Sequence, residues 1–80
     1  MTTEDVLRLR RAKPFKPFRV HIADGRAIDV VSHELIVNCG ASVGLGIPPS
    51  GATWPIAERI VQVPSKDIVR IEFLDIPELV

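Results

Sequence analysis

A single cysteine, Cys39, stands in 80 residues, so no disulfide can close within the chain. With only His21 and His33 beside it, no four Cys and His ligands fall at zinc spacing, and no metal site is expected. Tyrosine is absent and Trp54 is the only tryptophan, leaving Phe15, Phe18 and Phe73 to supply the large aromatic side chains. No apolar run is long enough to span a bilayer, and the N-terminus reads as a charged helix, not a signal peptide. The expectation is a cytoplasmic protein in a reducing setting, with no membrane partner. Gly40, Gly44 and Gly46 lack the Gly-Lys-Ser/Thr ending of a phosphate loop. Cys39 with His21 or His33 has no third group to orient it, and a lone Cys in an apolar strand reads as buried and inert. No catalytic residue, cofactor or small-molecule substrate is therefore expected, and the chain reads as a non-enzyme.

What is present is the composition of a folded protein: 46% hydrophobic and 25% charged residues. Residues 1–80 read as a single domain. A core of that size seldom contributes more than roughly 3–5 kcal/mol, so self-association is the expected supplement. Net charge is zero but unevenly spread. Residues 1–20 hold six basic against two acidic groups, a balance of +4, and residues 21–80 hold four basic against eight acidic, a balance of −4. A basic arm on an acidic body suits an anionic partner such as RNA, its own body, or a sister subunit.

In chain order, Thr2 or Thr3 is placed to cap a helix over about 3–12. Glu4 and Asp5 sit at its positive end and Arg8, Arg10 and Arg11 at its negative end. Pro14 ends it by forcing its neighbour out of the helical region. From Lys13 to Arg19, Lys/Arg, Pro and Phe each recur at a spacing of three. That is the period of a polyproline helix, read here as an extended lead-in that carries Phe15 and Phe18 to one end of a core.

Phe18, Val20 and Ile22 then alternate with Arg19, His21 and Ala23, a half-buried strand over about 17–23. A three-residue turn Ala23-Asp24-Gly25 pairs Ile22 with Arg26, Val20 with Ile28 and Phe18 with Val30, which keeps the apolar face intact. It requires a left-handed residue at Gly25, making a type I turn with a G1 bulge. Further strands are expected over about 26–31, 35–39, 57–63 and 68–74, with Val69, Ile71 and Phe73 facing inward on the last. Residues 40–56, with four glycines and three prolines, read as one long loop. Pro64-Ser65-Lys66-Asp67 reads as a tight turn or one 3₁₀ turn, and Leu79-Val80 as a patch for a neighbour.

Five short antiparallel strands with no second layer usually hide their edges by closing up. The fold expected is all-β, a small five-stranded antiparallel barrel with a short N-terminal α-helix.

The run from Lys13 to Arg26 resembles the N-terminal signature of a family of small uncharacterised bacterial proteins, for which it implies no activity. The order of helix then five strands is similar to the Sm-like RNA-binding proteins. Glu34 followed by Asn38 has the spacing of that family's acidic-residue and asparagine pair, with Glu34 where the motif has Asp. Pro64-Ser65-Lys66 stands at the turn where the family has a basic residue and glycine. That resemblance implies that the all-β barrel is SH3/Sm-like, with RNA bases near Asn38.

Two readings of function result. The first is a non-catalytic interaction or regulatory module that pairs with itself or another protein. The alternative is an Sm-like nucleic-acid binder, with Arg8, Arg10, Arg11, Lys13, Lys16 and Arg19 on phosphates and Asn38 or Trp54 beside a base. Trp54 otherwise anchors its loop on the body of the protein.

Overall fold

Thr2 caps helix α1 (Thr3–Arg11): its hydroxyl accepts the Asp5 amide at 3.2 Å, and the Asp5 carboxylate accepts the Thr2 amide at 3.0 Å. The computed structural model describes residues 1–50 and 56–78. Val6 is the residue of α1 that is fully buried, with Leu7 and Leu9 packed partly beside it, a narrow stripe that suits a helix laid over a core rather than through it. Thr3 ties the helix start to the body, donating to the Gly40 carbonyl at 2.6 Å and meeting the Ser65 hydroxyl.

Strand β1 (Phe18–Ile22) turns into β2 (Ala27–Val30) in the register expected from the alternation, Phe18 opposite Val30 and Val20 opposite Ile28. Gly25 has φ +95°, its amide donates to the Ile22 carbonyl, and the Ile22 amide donates to the Arg26 carbonyl. The alternative two-residue loop would have put Asp29 opposite Val20, on the apolar face. Phe15 and Phe18 both enter the core, their rings 5.8 Å apart, so the lead-in reading of Lys13–Pro17 describes what this segment does.

The five-stranded barrel is not what forms. Six strands make two separate three-stranded antiparallel sheets, ordered β2-β1-β6 and β3-β4-β5, with no pairing that closes them into a barrel among the described residues. β3 is Ile36–Cys39, β4 Ser42–Ile47, β5 Arg59–Pro64 and β6 Ile68–Phe73. Two 3₁₀ turns, His33–Leu35 and Ser65–Asp67, divide the chain between sheets: β2 from β3, and β5 from β6. The first of these is capped by the Ser32 hydroxyl, which accepts the Glu34 amide. The architecture is mainly β, with the core between the sheets and beneath α1: Phe18, Val20, Ile22, Ile28, Val30 and Ile68 on one side, Ile36, Val43, Leu45 and Val63 on the other. Fully burying one such side chain contributes about 1.5–3 kcal/mol.

The strand missed by the sequence reading is β4, which occupies part of the expected 40–56 loop. Gly40 has φ +75° and begins a two-residue turn that sets Cys39 opposite Ser42. Gly44 and Gly46 then lie within the strand, where they permit close approach rather than flexibility. A methyl group on Gly44 would sit 3.2 Å from Ile60 Cγ2 and 3.3 Å from Val37 Cβ. Two further expectations are corrected. Cys39 is exposed, not buried, because it shares the outward-facing row of β3 with Val37. On β6, Ile71 packs partly against the core, but Val69 is exposed at a register shift where Ile68 takes the core position opposite Ile22, and Phe73 is exposed at the end of a strand that is the edge of its sheet.

Candidate interaction surface

The linker from Lys13 to Pro17 is bordered by grooves on two sides. One, of about 450 Å³, is lined by Arg10, Arg11, Lys13, Phe15, His33 and Glu78. The other, of about 400 Å³, runs between the end of α1 and the end of β6 and is lined by Leu9, Ala12, Pro14 and Phe73, with Lys13 and Lys16 at its rim. Both are open depressions with a mainly apolar floor, a shape that accepts a protruding side chain more readily than it encloses a small molecule.

The first groove is built by polar contacts around the 3₁₀ turn. The Arg10 guanidinium donates to the His33 carbonyl at 3.1 Å. The Glu78 carboxylate accepts the His33 amide at 3.2 Å and meets His33 Nδ1, so the segment after β6 is fastened across the turn. Burial raises the Glu78 carboxyl, but the His33 side-chain and backbone hydrogen bonds outweigh it and hold the group below its ordinary range. The Phe15 ring lies 6.0 Å from the His33 ring. Glu78 lies in the segment read only as a tail, and a single sequence offers no spacing that joins positions 33 and 78.

The outer face of the first sheet carries a charge network. Arg19 grips Asp29 with two hydrogen bonds, at 2.6 and 3.2 Å. Glu72 accepts from His21 Nε2 at 2.9 Å and lies 3.9 Å from both Arg19 and Arg70. The hydrogen bond from His21 comes first, and with these cations it keeps the Glu72 carboxyl below the usual glutamate range.

The residues expected to touch nucleic acid are thereby distributed unevenly. Arg8 lies 3.8 Å from Asp5, Arg11 binds Glu4 at 2.8 Å, and Arg19 is committed to Asp29. Lys13 and Lys16 hold no ion pair among the described residues and come together at the second groove. Asn38 is on the other sheet, where its side-chain oxygen accepts the Gly40 amide at 3.0 Å and shapes the β3–β4 turn. Arg19 lines a separate cleft with Ile28, Asp29 and Ile47. Trp54 and the pair Leu79-Val80 lie outside the described residues.

The sequence reading passed over Val69 and Phe73 as surface residues. Their alternation with Arg70 and Glu72 is that of any half-buried strand, and strand order, which makes β6 an edge, is not written in alternation. Among the described residues no three His, Cys, Asp or Glu side chains converge as a metal site would require, and no helix is long and apolar enough to cross a membrane. Comparison of the chain with protein-family models, curated proteins and solved structures finds no match.

Proposed function

We propose that this chain is a non-catalytic interaction module that offers exposed apolar side chains on its strands to another polypeptide. One observation carries the reading. Val37, Ile60, Val69 and Phe73 are large apolar residues on strands, yet they are 45%, 61%, 62% and 57% exposed. A stray exposed apolar residue needs no explanation, but several on the edges and outer faces of a domain this small mark surface to be covered by a partner. Lys13 and Lys16 at the rim of the Phe73 groove suit a partner that brings an acidic group beside its apolar contact.

The nucleic-acid reading draws its support from the same two lysines, and it has fewer cations to draw on, because Arg8, Arg11 and Arg19 already face carboxylates. The two readings separate in one experiment. A photo-crosslinking amino acid is placed at Ile60, Phe73 or Lys16 in the full chain, and the products formed in cells are treated with protease or nuclease. Protease-sensitive adducts at Ile60 or Phe73 are expected. Nuclease-sensitive adducts at Lys16, with none at the apolar positions, would replace this proposal with the nucleic-acid one.

A further inference from the structure

Among the described residues, strand β6 is hydrogen-bonded on one side, to β1. The Leu74 amide donates to the Pro17 carbonyl at 2.9 Å, and Phe18 stands opposite Phe73. In an antiparallel ladder those two facts fix the direction of the backbone groups from Arg70 to Phe73. The amides and carbonyls of Arg70 and Glu72 point to β1 and those of Ile71 and Phe73 to the open edge, while Val69 has no partner on β1 and is the extra residue of a bulge. At six residues, β6 is longer than the edge strands β2 and β3, which have four each, while the remaining edge strand, β5, ends in Pro64. Its register irregularity lies at its beginning, by Ile22 and Ile68, and leaves the stretch from Arg70 to Phe73 regular.

We propose, building on the interaction-module reading, that the partner of this edge is a second copy of the chain, paired β6 to β6 antiparallel about a twofold axis at Ile71. The charges select that register. An axis at Arg70 or at Glu72 would set that residue against its own copy, like charge facing like. An axis at Val69 would centre the pairing on the bulge, and one at Phe73 sets Ile71 against Asp75, an apolar residue against a carboxylate. The axis at Ile71 sets Arg70 of each copy against Glu72 of the other in a non-hydrogen-bonded pair, the type that brings side chains closest. The outward-facing amide and carbonyl of Ile71 meet those of its counterpart across the axis, and two three-stranded sheets become one of six strands. The pairing is isologous and closes on itself, so it stops at a dimer.

The test is the mass of the full chain in solution, by light scattering over a concentration series into the millimolar range, with circular dichroism to confirm folding. Wild type is expected at twice the 8.8 kDa chain mass. R70E and E72R are each expected to be monomeric, since each sets like charges across the axis. An equal mixture of the two is expected to regain the dimer, because every cross-axis pair is then of opposite charge. Should R70E or E72R fail to fold, I71P decides, since the Ile71 amide faces the open edge and takes no part in the ladder with β1. A folded I71P monomer supports the pairing. A wild-type monomer throughout the series overturns it, and so does a dimer indifferent to I71P. If the wild type is monomeric but Phe73 crosslinks to a different protein, self-pairing fails and the interaction-module reading stands. If it is monomeric and no apolar position crosslinks to protein, both fail.

Discussion

Gly46 lies directly beneath Leu35: a methyl group on Gly46 would sit 3.1 Å from Leu35 Cδ2, and 3.0 Å from the Ala57 Cβ. Leu35 is buried although it lies apart from the main core cluster, and bare backbone at Gly46 gives it a floor on the outer side of the second sheet. The contact also accounts for the position of β4, whose small residues let β3 and the start of β5 close over it.

Gly46→Ala is therefore expected to destabilise the protein by about 1–3 kcal/mol, the usual cost of overpacking a filled site. Ala57 has no rotamer with which to yield. Gly44→Ala, whose nearest neighbour is the exposed Ile60 side chain, is expected to cost less, because that side chain can swing into solvent. Chemical denaturation of both variants checks the order. Equal losses would show that the close approach at Gly46 is not a constraint on the fold.

At Gly25 the space is open and the backbone is the obstacle, since φ is +95° and a methyl group there would find nothing within 4 Å. Gly25→Ala is expected to cost about 1–2 kcal/mol, the penalty for a left-handed non-glycine residue. Gly25→Asn is expected to recover part of it, because asparagine tolerates that region. Thermal melts of the two variants provide the check, and an unchanged Gly25→Ala melt counts against the turn.

Phe18 and Phe73 stand opposite each other in the ladder, but one is fully buried and the other is 57% exposed. Phe18→Ala is expected to cost about 3–5 kcal/mol, comparable to the whole stability of a domain this small, and to leave a mostly unfolded chain. Phe73→Ala, measured at a dilution that keeps the chain monomeric, is expected to cost less than about 1 kcal/mol. Far-ultraviolet circular dichroism during urea unfolding separates them.

The depressed Glu72 carboxyl makes a prediction in acid. The groups around it are Arg19 and His21 on β1, Arg70 on its own strand, and Asp29 on β2 through Arg19. Its folded value lies below the ordinary 4.5, so its contribution is fully present above that pH and is lost as pH falls through the lowered folded value. Glu78, depressed as well, acts in the same direction. The urea midpoint is expected to fall across that acid window, and to fall less in E72Q and in E78Q. Identical slopes in wild type and variants would remove these carboxylates from the account.

The helix, a threonine cap at its start, and the first hairpin with its register were legible because each is set by residues a few positions apart, although the structure was needed to choose Thr2 over Thr3. A capping hydroxyl, a period of two and one glycine after Asp24 are local signals, and local sterics enforce them. β4 was not legible, because Gly44 and Gly46 are flexible in isolation and become strand residues only where Val37, Ile60, Leu35 and Ala57 crowd them. The pairing of His33 with Glu78 joins residues 45 apart, and no pattern in one sequence carries that distance. The expected barrel gave way for a related reason. Alternation says which residues of a strand share a face, but which strand lies beside which depends on the two 3₁₀ turns and on how two apolar faces meet. The sequence alone determined the chain's short-range geometry and its stock of apolar side chains. Tertiary packing decided which of them the protein buries and which, like Val69 and Phe73, remain at an open edge, because burial is a property of neighbours that the chain brings together only on folding.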